Sequence, residues 1–250
     1  MADDDYLDAI DYTRDDLDVE DLEDVKHAIR LDDVHRTFVL GKNEITAVIG
    51  VNLIVDVGDF VVISGKSGSG KTTLLNIIGA IDLATHGRVF VMDVPINDYD
   101  ESFRASFRLN NTGFIFQSYN LVSTLTAIEN VLFPMQLSEK SRSELREDAM
   151  KLLEKVEMDH RADHLPWQLS SGEQQRIAIA RAMANDPPII LADEPTANLD
   201  GDSGQMIREL LIELNNEGKA VIVMTHDVGI IKQPNVHHFK MDGGVLTRYD

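Results

Sequence analysis

The stretch Val61-Val62-Ile63-Ser64 runs directly into Gly65-Lys66-Ser67-Gly68-Ser69-Gly70-Lys71-Thr72, and this junction decides the fold. The apolar β-branched residues predict a buried strand, and GxxxxGK[ST] between a strand and a helix is typical of a loop that binds phosphate. Glycines let backbone N–H groups turn inward around phosphate oxygens, and a helix N-terminus adds a positive dipole. These flanks disfavour the alternative of a Gly/Ser-rich turn with a solvent-facing lysine.

Two side chains in this loop have specific expected roles. Lys71 would neutralise the β- and γ-phosphates of a nucleotide, and the hydroxyl of Thr72 would bind Mg²⁺. The candidate nucleotide-binding residues of the loop are Gly65, Lys66, Ser67, Gly68, Ser69, Gly70, Lys71, Thr72 and Thr73.

A second apolar run, residues 189–192, ends in two carboxylates, Asp193 and Glu194. At the carboxyl end of a parallel strand they would face the crevice where ligands bind. Asp193 could then hold Mg²⁺ through water, and Glu194 could orient or deprotonate an attacking water. This pattern alone is weak, because ordinary strands also end in solvated acids, but beside the phosphate loop it is strong.

Apolar β-branched segments alternate with helical ones, which indicates an α/β fold with a parallel sheet covered on both faces. The predicted strands are residues 30–34, 47–57, 60–64, 88–92, 113–117, 188–192, 220–225, 236–241 and 245–248, and the predicted helices are residues 71–81, 126–131, 143–157, 171–185 and 201–216. The helix-rich stretch 120–184 interrupts the alternation and is predicted to be an inserted subdomain.

Residues 1–29 contain 12 Asp and Glu against two basic residues, which is half of the formal net charge of −20. We interpret them as an acidic extension before a domain of residues 30–250. Four apolar residues of the extension recur at near-helical spacing: Val19, Leu22, Val25 and Ile29. A short amphipathic helix that docks on the body or on a partner and a mobile tail both stay open. The acidic balance argues against a nucleic-acid partner.

The sequence contains no cysteine, which excludes disulfides and thiol-ligated metal sites. No apolar run approaches the roughly 20 residues that span a bilayer, and the acidic start lacks the pattern of a signal peptide. We therefore expect a cytoplasmic protein with no direct membrane insertion, which would meet a membrane only through a partner.

The segment Leu169-Ser170-Ser171-Gly172-Glu173-Gln174-Gln175-Arg176 is a small-residue turn that leads into a helix. It could form a second anion site at that helix N-terminus. It could equally be a capped helix in which Ser170 is the N-cap and Glu173 closes a capping box. Both can hold together, because capping groups and anions use the same N–H groups.

Together these elements resemble the ATP-binding cassette (ABC) family. Residues 169–176 are similar to its signature motif, Gln117 to its Q-loop glutamine, residues 196–200 to its D-loop, and His226 to its switch histidine. The resemblance covers residues 30–248. It implies a P-loop NTPase (RecA-like) parallel sheet core with an N-terminal antiparallel β-subdomain and an inserted α-helical subdomain.

The resemblance also implies an ATPase that uses ATP and Mg²⁺. Its catalytic residues would be Glu194, His226, Lys71 and Gln117, and its metal-binding residues Thr72, Gln117 and Asp193. Beyond the phosphate loop, the nucleotide would contact Ser170, Ser171, Gly172, Glu173 and Asp200. Phe38 is the best-placed ring to stack on adenine, although packing in the core would explain it equally well.

In the family the phosphate loop of one chain faces the signature motif of a second chain, with ATP between them. The resemblance therefore implies a head-to-tail homodimer, with Asp200 coupling its two sites. Ser171 replaces a glycine of the family, which would restrict the backbone if φ > 0 were needed there. Glu173 stands where many members have glutamine.

Within the family, residues 116–121 and 125–131 resemble the lipoprotein-release and macrolide-export branch. This implies integral-membrane permease subunits and a position on the inner face of the cell membrane. Five apolar residues would either receive a coupling helix of the permease or belong to the core: Leu121, Val122, Leu125, Phe133 and Met135. The alternatives are a regulatory ABC ATPase of the cell-division type, without transport, and a soluble ABC ATPase. The latter usually has two cassettes or coiled-coil insertions, and this chain has neither.

Overall fold

The computed structural model describes residues 27–41, 43–137 and 140–249. Its strands are β1 (His27–Leu40), β2 (Asn43–Asp56), β3 (Phe60–Ser64), β4 (His86–Val91), β5 (Val94–Pro95), β6 (Thr112–Ile115), β7 (Ile189–Asp193), β8 (Ala220–Met224), β9 (Val236–Asp242) and β10 (Val245–Arg248). Its α-helices are α1 (Lys71–Ile78), α2 (Glu101–Asn111), α3 (Ala127–Met135), α4 (Arg142–Lys155), α5 (Ser171–Ala182), α6 (Gly201–Asn216) and α7 (Val228–Ile231).

The strands form two sheets. One is antiparallel in the order β2-β1-β4-β5, and the other has the order β10-β9-β3-β8-β7-β6. In the second sheet β9, β3, β8, β7 and β6 run parallel, and only β10 is antiparallel to its neighbour. The predicted α/β class, with a parallel core, an antiparallel β-subdomain and an inserted helical part, is confirmed.

The parallel sheet separates two hydrophobic cores. Successive side chains of a strand point to opposite faces. Accordingly, Val61 and Ile63 of β3 pack with α1 and the antiparallel sheet. Phe60 and Val62 pack with α3, α4, α5 and α6 on the other face. Because both faces are covered, the central strands read as continuous apolar runs, whereas β2 alternates buried and exposed residues along its second half.

The helical part between β6 and β7 begins with two well-capped helices. Thr126 caps α3 and Ser141 caps α4, each in a capping box with the glutamate three residues later. The fully buried Asn130 amide holds the preceding loop, accepting from the N–H of Val122 and donating to the carbonyls of Val122, Leu125 and Thr126. One buried side chain therefore anchors residues 122–126 on the path from β6 into this subdomain.

Several element boundaries differ from those predicted. β1 begins at His27 rather than Arg30, and the fully buried Ile29 belongs to this strand rather than to an N-terminal helix. The interpretation of residues 1–26 lies outside the described residues. α1 ends at Ile78 rather than Ile81, because Gly79 caps it and Ala80 adopts a left-handed φ of 56°.

Two helices were not predicted at all: the four-residue α7 and the longer α2. The first turn of α2 is capped by the Asp100 carboxylate, which accepts from the N–H of Phe103. Tyr99, Phe103 and Phe107 follow one another at helical spacing and stack along one side. The capping aspartate and the spacing of the three aromatic residues do indicate a helix. The arginine and serine residues in its three turns make this short apolar stripe hard to recognise in the sequence. None of the helices in the described part of the chain combines the length and the apolar composition that a bilayer crossing requires.

Gly113 of β6 offers a test of how closely the inserted helices pack on the sheet. A Cβ there would lie 2.3 Å from the backbone carbonyl oxygen of Ala182 at the end of α5. Gly113→Ala should therefore lower the free energy of unfolding by about 1–3 kcal/mol through overpacking. Chemical denaturation measures this. The control is Gly201→Ala at the first position of α6, where a Cβ meets nothing within 4 Å and stability should hold or rise slightly. Equal stability of the two variants would contradict the packing.

Candidate active site

The carboxyl ends of β3, β8 and β7 meet at one edge of the parallel sheet. Ile63 and Asp193 both pair with Met224, which precedes Thr225 and His226. The phosphate loop leaves β3 at this edge, the two carboxylates end β7, and His226 follows β8. The strand order therefore brings together the segments that the sequence places far apart.

The phosphate loop packs tightly against neighbouring backbone. Gly70 and Gly68 have φ of 104° and 77°, which glycine adopts at little cost. A Cβ on Gly70 would lie 2.1 Å from the carbonyl oxygen of Ala47, and one on Gly65 would lie 2.3 Å from that of Met241. Both glycines are thus required by space, and β2 and β9 fix the shape of the loop.

The ammonium group of Lys71 lies inside this loop. Its Nζ donates to the carbonyl oxygens of Gly65 at 2.6 Å and Lys66 at 3.2 Å, and the side chain is buried. The Ser69 hydroxyl is also buried and has no hydrogen-bond partner within the described residues. A buried cation and an unpaired hydroxyl at a helix N-terminus fit an anion such as a phosphate group.

The oxygens of Thr72 and Asp193 converge. The Thr72 hydroxyl donates to Asp193 Oδ2 at 2.8 Å. Burial raises the pKa of the Asp193 carboxyl, and the charge of Glu194 adds to this rise against the hydrogen bond from Thr72. Hydroxyl and carboxylate oxygens are the ligands that Mg²⁺ prefers. The described residues contain no cluster of three or more His, Asp or Glu side chains that could hold a metal.

Glu194 lies between the lysine and the histidine. Its Oε2 is 3.0 Å from His226 Nδ1, and its Oε1 is 3.9 Å from Lys71 Nζ. Its backbone has a left-handed φ of 46°, held by an N–H bond to the Met224 carbonyl at 2.8 Å. Glutamate rarely adopts this conformation, and such strain concentrates at functional sites. The turn aims the carboxylate at the mouth of the phosphate loop, while His226 stays exposed.

Gln117 lies at the same edge of the sheet. Ile115 of β6 pairs with Ala192 of β7, so Gln117 extends past the sheet beside Asp193. It lies in the turn after β6, not in the strand as predicted, and its side chain is exposed. The carbonyls of Tyr119 and Asn120, just beyond it, accept hydrogen bonds from the guanidinium of Arg181 on α5. The segment after Gln117 is thus tied to the signature helix.

The signature segment forms a capped helix start. Ser170 Oγ accepts from the N–H of Glu173, and Glu173 Oε2 accepts from the N–H of Ser170, so the predicted capping box is present. The bond from the Ser170 N–H, with Arg161 nearby, lowers the pKa of Glu173. Ser171 is the first helical residue and is not among the residues with positive φ, so the expected backbone restriction does not arise.

Gly172 packs on α6, where a Cβ would lie 2.6 Å from Ser203 Oγ. Asp200 caps α6 by accepting from the N–H and the hydroxyl of Ser203. No hydrogen bond joins residues 169–176 to residues 65–73 in the part of the chain that the structure describes. Within one chain, the signature segment and Asp200 therefore share Ser203 of α6 as a neighbour.

Phe38 of β1 is only half-buried and does not belong to either hydrophobic core. One face of its ring carries the guanidinium of Arg36, 4.5 Å from the ring centroid. Two hydrogen bonds, at 2.9 and 2.7 Å, hold that guanidinium on Asp82. Packing in the core therefore does not explain Phe38, and adenine stacking stays a prediction.

The apolar residues between β6 and α4 that were predicted to receive a coupling helix differ in their exposure. Met135 is buried core, whereas Phe133 is 56% and Val122 38% exposed. Phe133 lines a small open groove of about 280 Å³ with Phe116, Leu109 and Arg181. Part of this set is thus core, and part remains available to a partner.

Sequence reasoning missed one group of polar residues beside His226. Asp227 accepts from Thr196 Oγ1 at 2.8 Å and from Arg208 Nη1 at 2.9 Å. Burial opposes ionisation of Asp227, but these bonds and one from the N–H of Gly229 outweigh it and lower its pKa. The loop of His226 is therefore fastened to residues 196–200 and to α6. Only tertiary structure brings these positions together.

A phosphate loop after β3, with two carboxylates at the end of β7 on the other side of β8, defines a P-loop ATPase. Residues 48–197 match the family model for the ABC transporter, which is more than half of the chain. The chain therefore belongs to the ABC transporter family, and it is an ATP-binding, ATP-hydrolysing subunit of a transporter.

Its relatives include transporter subunits of the expected branch. It is 46% identical over 209 residues to the uncharacterized ABC transporter ATP-binding protein MJ0796 of Methanocaldococcus jannaschii, covering 82% of this chain and 89% of that one. It is 39% identical over 206 residues to the lipoprotein-releasing system ATP-binding protein LolD of Idiomarina loihiensis, covering 82% and 90%. It is 44% identical to the macrolide export ATP-binding/permease protein MacB of Hyphomonas neptunium, covering 80% of this chain but 31% of that protein.

A solved structure shows the same fold. The dimeric post-hydrolysis state of MJ0796 bound to ADP and Pi superposes with a TM-score of 0.82 at 41% identity, covering 88% of this chain and 98% of that one. The resemblance to the ABC family and to its lipoprotein-release and macrolide-export branch is thus confirmed.

The raised pKa of Asp193 gives a prediction for the nucleotide-free protein. The Asp193 carboxyl binds its proton more tightly in the folded state than in the unfolded chain. The free energy of unfolding therefore falls as pH rises through the interval between the pKa values of this group in the two states. Asp193→Asn should therefore raise the melting temperature at pH 7, with a smaller gain as pH is lowered towards the ordinary carboxyl range. It should also remove the Mg²⁺ dependence of ATP binding. Asp163→Asn, on an exposed carboxylate, is the control. A lower melting temperature for Asp193→Asn would contradict the prediction.

Proposed function

We propose that this subunit energises a membrane permease for export or extraction, of the lipoprotein-release or macrolide-export type, through ATP-driven head-to-tail dimerisation. The observation that carries the proposal is the division of the site. Lys71, Asp193, Glu194 and His226 converge at one edge of the sheet, whereas the signature segment makes its contacts elsewhere. A second copy of the chain would supply the missing half.

The residues at the sheet edge have distinct roles in hydrolysis. The N–H groups of residues 65–73 and the ammonium of Lys71 would bind the phosphates, exchanging the carbonyls of Gly65 and Lys66 for phosphate oxygens. Glu194 would accept the proton of the attacking water, and His226, 3.0 Å away, would orient that carboxylate and contact the γ-phosphate. Phe38 would stack on the adenine with the ring face that Arg36 leaves open.

The donor set beside the loop fits Mg²⁺. Thr72 and Asp193 would hold it, with Gln117 approaching from the end of β6. When bound, the ion would neutralise charge on the β- and γ-phosphate oxygens. Because it would also neutralise the partly buried Asp193, metal binding and ionisation of this carboxyl are coupled.

In the proposed dimer, Ser170, Ser171, Gly172 and Glu173 of one chain would face the phosphate loop of the other. The N–H groups at the start of α5 supply a positive dipole end for the γ-phosphate. Asp200 lies on the same side, through the contact of Gly172 with Ser203, and would reach across to the second site. The dimeric, ADP- and Pi-bound structure of a relative supports this arrangement.

The permease would dock at the groove formed by Phe116, Phe133 and Leu109. Arg181 lines the same groove and holds the carbonyls of Tyr119 and Asn120, so a helix seated there would touch the segment that follows Gln117. Docking and metal binding would then be linked through one loop. The subunit would accordingly lie on the inner face of the cell membrane, in the cytoplasm and without inserting, bound to integral-membrane permease subunits.

Lys71→Ala tests the nucleotide site. Removing the cation leaves phosphate charge uncompensated inside the loop, so affinity for ATP should fall by more than about tenfold. Isothermal titration of the purified chain measures it. Lys232→Ala, which removes an exposed lysine after α7, should leave affinity unchanged. Equal affinity of Lys71→Ala and the unmodified chain would refute the assignment of this loop.

Glu194→Gln tests the general base. The amide cannot accept the proton, so hydrolysis should slow by about 10²–10⁴-fold. ATP binding should persist, so the variant should accumulate as an ATP-bound dimer in light scattering. Glu209→Gln, on the exposed side of α6, is the matched control. An unchanged hydrolysis rate would show that Glu194 is not the general base. A variant that binds ATP as a monomer would contradict ATP-driven dimerisation.

A further inference from the structure

A second and larger groove has a volume of about 810 Å³. It opens between α2, α4 and the segment after α5. Its apolar lining includes Leu109, Pro134, Leu145, Leu152 and Met183. The groove therefore presents apolar and charged side chains next to one another.

Four of the ten lysines in the sequence line this groove: Lys140, Lys151, Lys155 and Lys219. The acids in the lining are Asp148, Asp186 and Glu217, so the lining carries a net charge of +1 in a chain of −20. Lys140 and Lys151 are 58% and 61% exposed in their ion pairs. Exposed pairs of this kind hold their partners weakly, so these ammonium groups can be shared with incoming carboxylates.

Contacts connect the start of the described chain to a residue that lines this groove. His27 Nδ1 lies 2.6 Å from Asp56, and the N–H of Asp56 donates to Asp59 at 2.9 Å. Beside Asp59, the Gly58 carbonyl accepts from the Asn215 amide at 2.7 Å, and the same amide donates to the Lys219 carbonyl at 3.0 Å. A short series of contacts thus leads from His27 to a lysine of the groove.

The segment before His27 has the matching composition. Residues 1–26 hold 12 acids and two bases, and their apolar residues Val19, Leu22 and Val25 are interleaved with carboxylates. Val19 is eight residues from His27, which an extended chain bridges over up to roughly 27 Å. Short tethers give a high effective concentration, so modest contacts suffice for docking.

We propose that residues 1–26 dock into this groove of their own chain. Val19, Leu22 and Val25 would cover the apolar lining, and the flanking carboxylates would pair with the rim lysines. The groove shares Leu109, Pro134 and Asn185 with the smaller groove assigned to the permease, so the docked segment would compete with a permease helix. That consequence rests on the proposed function, whereas docking itself does not.

The absence of native cysteines allows a direct test in the full chain. Asp21→Cys is combined with Asn110→Cys, an exposed groove position at the end of α2, or with Pro234→Cys as control. Pro234 is exposed and precedes β9, where His237 lies 3.6 Å from Asp59, so it too lies near the start of β1. A short bismaleimide should link Asp21→Cys to Asn110→Cys about tenfold faster than to Pro234→Cys.

Two further sets of variants distinguish docking in the groove from the proximity that the chain connection alone would give. Leu22→Asp keeps the tether and adds an acid, so it should reduce the groove link to the rate of the control if the apolar contact is real. Lys151→Glu should slow the link as well, and Lys151→Arg should not. Equal rates at the two positions, or a groove link unaffected by Leu22→Asp, would overturn the proposal. Links that form between singly substituted chains, rather than within one chain, would overturn it in favour of a second copy. None of these outcomes depends on ATP hydrolysis or on a permease.

Discussion

The fold depends on one geometric constraint, which is that three neighbouring parallel strands end at the same edge. β3, β8 and β7 are buried on both faces, so their loops are the first positions at which polar groups can appear. In these loops, Glu194 Oε1 lies 3.9 Å from Lys71 Nζ and Glu194 Oε2 lies 3.0 Å from His226 Nδ1. Opposite charges held at the rim of an apolar sheet are pre-arranged for a charged ligand, and little reorganisation is required when it binds.

We propose that the signature segment completes the site of a second chain. The signature segment starts a helix that packs on α6, and Gly172 allows that close approach. The N–H groups at the start of this helix are capped by Ser170 and Glu173, and not by residues at the edge of the sheet that would bind the nucleotide. Arg181 and Arg208 connect this region to the loops after Gln117 and His226. Movement of the helical part would thus be felt at both loops, which is the coupling that a transporter subunit requires.

Much of this could be predicted from the sequence where local signals are strong. β3 and α6 have the predicted bounds, because an apolar run ends in glycine in one case and Asp200 caps the helix in the other. The phosphate-loop motif predicted Lys71 and a strand end predicted Asp193, whereas His226 was predicted only through the resemblance to the ABC family. The roles of Arg181, Arg208 and Asn130 could not be predicted. Some of their partners lie far away in sequence, and others are backbone carbonyls, which every residue has and which therefore leave no pattern in the sequence. Strain at Ser171 was expected only because it replaces a glycine of the family, and its helical conformation at the start of α5 removes that expectation.

The central claim is that each active site is built from two chains, and mixing two inactive variants tests it most directly. One chain carries Lys71→Ala and the other carries Ser170→Arg, which would block the signature segment. In a head-to-tail dimer, both defects of a mixed pair fall in one site and leave the other intact. The account predicts that ATP hydrolysis, absent in each variant alone, returns on mixing. A mixture no more active than its components would show that each site lies within a single chain and would contradict the account.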